Sequence, residues 1–103
     1  MRGYILSPLA DTDLDKILVY VATESGTAAA DRLELEFHEV MERISLAPGI
    51  GHLRTDLTRV PLRFASLHKF MIAYLPETRP VEIARIFHAA RDIGAILGDG
   101  PTE

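Results

Sequence analysis

Six consecutive residues, Phe70 to Leu75, restrict the fold more than any other stretch. In an extended strand successive side chains alternate between faces. Phe70, Ile72 and Tyr74 therefore point one way and Met71, Ala73 and Leu75 the other. Both sets are largely apolar. Such a strand belongs inside a sheet with cover on both sides, and the rest of the chain must supply its neighbours and that cover.

The neighbours are legible on either side. Val60 to Leu67 and Val81 to His88 carry strand-forming residues, and Gly3 to Leu6 is a further short candidate. Connections around His68-Lys69 and Pro76 to Pro80 are short enough to favour adjacent antiparallel strands. Cover comes from two amphipathic helices. Ser7 reads as an N-cap with Pro8 at the first helical position, and Gly26 as the stop, which predicts a helix over Pro8 to Ser25. Asp11, Asp13 and Asp15 lie in its first two turns, where the nearest meet the positive end of the helix dipole. Leu14, Ile17, Leu18 and Val21 form one apolar stripe.

A second helix is predicted from Thr27 to Leu46, ended by Ala47-Pro48-Gly49. Its stripe is Ala30, Leu33, Phe37, Val40 or Met41, and Ile44, with Asp31, Glu34, Glu36, Glu39, Glu42 and Arg43 on other faces. The pair makes an antiparallel helical hairpin able to cover one sheet face. His38 has no partner at metal-ligand spacing and reads as a surface or boundary residue. Pro48 to Arg59 reads as a loop. For the second face the chain offers only Asp92 to Leu97, broken by Gly94, and so short a helix is marginal alone. That face is expected to be under-covered and to receive a partner. The expected organisation is α+β in one domain, residues 1–98, with a tail at 99–103.

Composition bounds the function. At 103 residues, 48% hydrophobic and 25% charged, the chain suits an ordinary globular domain. It has no cysteine, which excludes disulfides and thiolate metal sites. The apolar run at the N-terminus is too short for a signal peptide, and no run matches the length of a membrane span. A soluble, cytoplasmic protein is expected. The formal charge of -4 is uneven: residues 1–50 hold four Lys/Arg against nine Asp/Glu, and residues 51–103 seven against six. Two faces meeting different partners would explain that asymmetry. With no basic run, sequence-specific DNA binding is not expected. No metal site, cofactor, phosphate loop or nucleophile dyad is visible.

The chemistry gathers between Val81 and Asp92, where Arg85, His88 and Arg91 thread through or just past an apolar strand. An arginine inside such a strand is costly unless it has a dedicated partner. Asp92 and Glu82 are nearby candidates, and Arg91-Asp92 could pin the final segment. Otherwise Arg63, Arg85 and Arg91 are placed to make charge-assisted contacts to an acidic partner.

Several motifs in order resemble the RelE/ParE toxins of bacterial type II toxin–antitoxin modules, and the ParE branch most nearly. They are Leu6-Ser7-Pro8 with Ala10, Asp13-Leu14, Ile17 and Tyr20; then Leu46, Pro48, Gly51, Arg54 and Asp56-Leu57. Arg63-Phe64, Ile72 and Tyr74 follow, and the most specific piece is Ile83 to Asp92 with Arg85, His88 and Arg91. The resemblance implies a β-α-α-β-β-β core with a helical hairpin on a small, mostly antiparallel sheet and a short C-terminal helix. It implies a hetero-oligomer with a ParD-like antitoxin, and inhibition of DNA gyrase or another topoisomerase by binding. Phe70, Met71, Tyr74, Ile93 and Leu97 are the expected antitoxin contacts; Arg63, Arg85, His88 and Arg91 are the expected target contacts.

RelE-branch relatives instead cleave messenger RNA on the ribosome. Arg85 resembles their catalytic arginine, and Arg63 and His88 could complete a ribonuclease set, with cations on the phosphorane and a titratable base. Two departures weigh against it: the loop after the second helix holds Arg54 and Arg59 but no lysine pair, and no tyrosine follows Tyr74. A third reading is an inactive homologue that binds antitoxin only to regulate their operon.

Overall fold

Ser7 sets the start of the first helix and ties it to the sheet. In the computed structural model, which describes residues 3–54 and 61–90, its Oγ accepts from Ala10 N at 3.0 Å and donates to Ala84 O at 2.9 Å. Helix α1 runs Pro8–Ser25 and α2 Thr27–Leu46, as the capping signals predict. Gly26 alone joins them, at a φ of 95° that favours glycine. Its N–H closes α1 onto Ala22 O, and its carbonyl accepts from Ala30 N.

Among the described residues, five strands make one mixed sheet in the order β1-β5-β4-β3-β2. They are β1 (Tyr4–Leu6), β2 (His52–Leu53), β3 (Arg63–Leu67), β4 (Phe70–Leu75) and β5 (Val81–His88). β1 runs parallel to β5, and every other pairing is antiparallel. Two expectations need correction. The segment after α2 is not wholly loop, for it holds a 3₁₀ turn, Pro48–Ile50, and the two residues of β2 on the edge of β3. The strand predicted from Val60 begins at Arg63, opposite Tyr74, past Pro61, which has no N–H for a ladder. Residues 55–60 and 91–103, with the expected C-terminal helix, lie outside the described residues.

β4 is the central strand, and its alternation is realised. Phe70, Ile72 and Tyr74 face the hairpin, where Phe37, Met41 and Ile44 from α2 join Leu14 from α1. Fully burying each large apolar side chain contributes roughly 1.5–3 kcal/mol. Met71 and Ala73 face the other way, in a second cluster with Leu62, Phe64 and Phe87. That second face was expected to be under-covered by the chain alone, and the burial of its residues corrects it. Phe64 and Phe87 are each 1% exposed and Ala73 0%, the two rings packing edge to face at 6.4 Å.

Tyr74 also fixes the turn that follows α2. Its buried hydroxyl donates to Pro48 O at 2.6 Å and accepts from Gly51 N at 2.9 Å. Burial pushes the phenol above its ordinary value of 10.0, against the lowering effects of the Gly51 N–H and the Arg63 charge. A group held protonated more firmly in the folded chain than in the unfolded one contributes stability that is complete below the unfolded value and is lost as pH rises beyond it. The stability gap between the parent chain and Tyr74→Phe is therefore full below pH 10 and narrows above it. Urea unfolding of both chains on either side of that pH measures the gap.

Candidate functional site

The regular alternation of β5 fails at one place, and the site forms there. Ala73 pairs with Arg85 but Tyr74 pairs with Ile83, which leaves Ala84 as the extra residue of a β-bulge. Val81 and Ile83 face the hairpin ahead of the bulge, and Ile86 does so after it. Arg85 reaches the same side, so two consecutive residues meet α1.

Asp13 receives them both. Its Oδ2 accepts from Arg85 Nε at 2.8 Å and from Ile86 N at 3.0 Å, and its Oδ1 from Arg85 Nη2 at 3.0 Å. The two side chains are 21% and 11% exposed. This carboxylate raises the already high pKa of Arg85, chiefly through the hydrogen bonds and against partial desolvation, so the guanidinium stays charged. Local Glu82 and Asp92 were candidate partners of Arg85. The structure places Asp13 of α1 on it instead, and Asp92 lies outside the described residues.

Beside this pair a cleft of about 380 Å³ opens between α1 and the C-terminal end of β5. Asp13, Lys16, Ile17 and Tyr20 line one wall, at the helical spacing that puts four residues on one stripe. Arg85 to His88 line the other, and Lys69 from the β3–β4 turn and Phe70 at the start of β4 complete the lining. Lys69 Nζ stands 5.9 Å from the Phe70 ring centroid. Its carbonyl accepts from Ala89 N at 2.9 Å, holding the turn to the end of β5. His88 pairs with Phe70 in register and meets its ring edge-on at 5.9 Å. His88 Nδ1 is buried and has no hydrogen-bond partner among the described residues.

The expected site residues are not gathered in one place. Arg85 and His88 share the cleft. Arg63 lies elsewhere: its Nη1 donates to Gly51 O at 2.7 Å, and its register partner is Tyr74, whereas that of His88 is Phe70. Four residues of strand, roughly 13 Å, separate those two positions. Phe70 and Tyr74 lie in the helix-covered core and Met71 in the second cluster. All three are buried in this conformation. Arg91, Ile93 and Leu97 lie outside the described residues.

Asp13, Lys16 and Lys69 were not singled out as site residues. The spacing 13, 16, 17, 20 was present in the sequence, but it carried no sign of which sheet edge it would face. His38, read as a surface or boundary residue, has Nδ1 2.6 Å from the Tyr4 hydroxyl and joins α2 to β1. Among the described residues no group of acidic or histidine side chains could hold a metal ion, and no helix is long and apolar enough to cross a membrane.

No curated protein matches the sequence. Among solved structures, one titled "Chromosomal ParDE TA system from P. aeruginosa" superposes with a TM-score of 0.69 at 21% identity. The match covers 85% of this chain and 96% of that one, and it establishes a shared fold. The family model described as "ParE toxin of type II toxin-antitoxin system, parDE" matches residues 4–93. That span takes in both helices, all five strands and the Asp13–Arg85 pair, and the chain belongs to the ParE toxin family.

Proposed function

We propose that this chain is the toxin of a type II module, that it arrests growth by binding DNA gyrase or a related topoisomerase, and that a ParD-like antitoxin neutralises it in a cytoplasmic hetero-oligomer. Family membership supports the toxin reading. One observation favours binding over ribonuclease chemistry: the three side chains that would form a cleavage site are apart or engaged. Arg63 and His88 stand at opposite ends of β4, and Arg85 is held bidentately by Asp13. A cleavage site needs its cations and its base within about 3 Å of the reacting groups.

Arg63, Arg85, His88 and Arg91 remain the proposed target contacts. Of these, Arg85 contributes by holding the end of β5 against α1. The test is gyrase supercoiling with purified chain, then with a ParD-like antitoxin added. Inhibition that the antitoxin relieves is the expected result. Normal supercoiling at saturating toxin, together with codon-positioned cuts in translated messages that Arg85→Ala abolishes, would replace this reading with the ribonuclease one. Absence of growth arrest on expression would leave only antitoxin binding and operon regulation.

A further inference from the structure

We propose that His68 and Glu36 form a docking point for a basic side chain of the target protein, where the β3–β4 turn meets the flank of α2. Backbone strain points to it first. Among the described residues His68 is the one non-glycine position with a positive φ, 54°. A Cβ makes that left-handed region costly, and glycine or asparagine enters it more cheaply. The turn is a two-residue link between Leu67 and Phe70, which pair across β3 and β4, and such a link has no need of an imidazole.

The fold gains little in exchange. His68 Nε2 lies 2.9 Å from Glu36 Oε1, but the two side chains are 59% and 41% exposed, and a pair that open to solvent contributes little to stability. Strain retained with so small a structural return is the mark of a side chain kept for contact. What the pair does fix is the ring. A carboxylate only accepts, so Nε2 carries the donated proton, and in the neutral imidazole Nδ1 is then an acceptor. A ring already held in one orientation meets a partner at lower ordering cost.

The surroundings select a cation. Arg32, Leu35, Glu36 and Glu39 follow the spacing of one stripe on α2. Arg32 and Glu39 are exposed, and Leu35 is 64% exposed. Two carboxylates against one guanidinium leave the stripe negative, like the first fifty residues with four Lys/Arg against nine Asp/Glu. Lys69, the next residue, lines the cleft and stands 5.9 Å from the Phe70 ring centroid. An arginine or lysine of the partner donates to Nδ1 and to the Glu36 carboxylate together, and its methylenes lie against Leu35. An acidic segment would meet like charge here, and so would the same stripe of a second copy. This docking point deepens the toxin reading and rests on it for the partner, the topoisomerase target.

The test compares the parent chain with His68→Gly and Glu36→Lys by gyrase supercoiling, urea unfolding and binding of a ParD-like antitoxin. His68→Gly relieves the strain, so its urea midpoint is expected close to the parent's or above it, while inhibition falls roughly tenfold. Glu36→Lys, at a solvent-facing position, is expected to stay folded and to lose inhibition at least as far, because it sets like charge against the partner's cation. Antitoxin affinity stays at the parent's level in both. Parent-level inhibition by either variant, a loss of inhibition matched by a fall in midpoint, or weakened antitoxin binding overturns the proposal while the toxin reading stands. A parent chain that leaves supercoiling untouched overturns the reading itself and the docking point with it, so the two failures are distinguishable.

Discussion

Replacing Asp13 by alanine lowers the stability of this chain by about 3 kcal/mol, the low end for breaking a buried ion pair, because both side chains keep some solvent contact. One substitution removes three acceptor contacts at once, two from Arg85 and one from Ile86 N. It takes the Asp13 carboxylate away from a mostly buried guanidinium and leaves the Ile86 N–H without its Asp13 acceptor. Charge-assisted hydrogen bonds are the stronger kind, and the unmet donors are the larger part of the cost. Urea unfolding reads the change as a lower midpoint at constant slope. Asp13→Leu combined with Arg85→Met regains most of the loss, since an apolar pair of similar volume replaces a buried ion pair at little cost. A loss below about 1 kcal/mol for Asp13→Ala would class the pair with ordinary surface bridges and remove the staple between α1 and β5.

The consequence reaches the functional reading. An arginine whose guanidinium is held by a carboxylate on the opposite element positions the strand end rather than extending toward a target. Loss of inhibition in Arg85→Ala is then expected to accompany loss of stability, and unfolding measured beside the supercoiling assay separates the two effects.

How far the sequence announced this arrangement depends on whether the determinant was local. Ser7-Pro8, Gly26 and Ala47-Pro48-Gly49 act within a turn or two of themselves, and both helices have the boundaries those residues predict. The two-faced pattern of Phe70 to Leu75 likewise needs only alternation, and its two sets do part into two clusters. The site was harder. Arg85 was legible as an arginine in need of a partner, but that partner lies 72 residues earlier, and no spacing rule links a helix side chain to a strand so far along. Asp13 read as one of three acids near a helix start.

The bulge left a trace. The hairpin-facing apolar residues of β5 step from 81 to 83 and then to 86, a break in period two at the place where Ala84 is extra. The second sheet face was misjudged because Leu62, Phe64 and Phe87 were counted within their own strands and not as cover for one another. Packing between strands is a property of register, which the sequence encodes only collectively.

Gly51→Ala is expected to cost about 3 kcal/mol, combining overpacking with the loss of hydrogen bonds. The backbone there is extended, at φ -75° and ψ 172°, and would accept any residue, so the objection is one of space. A Cβ on Gly51 would stand 2.5 Å from the Tyr74 hydroxyl, 2.9 Å from its Cε1 and 3.0 Å from Phe64 O. The phenol cannot retreat, because the ring is fully buried and its hydroxyl is bonded to Pro48 O and Gly51 N. Displacing it also disturbs Gly51 O, which accepts from Arg63, so the segment from Pro48 to β2 would loosen as a unit. A double-mutant cycle with Tyr74→Phe isolates the cause. Deleting the hydroxyl removes the closest clash and the bonds that the methyl would break, so the double variant should be more stable than the sum of the single losses by at least about 1 kcal/mol. Additive losses would mean that the methyl group is accommodated without touching the phenol, and that the Tyr74 hydroxyl does not govern the loop.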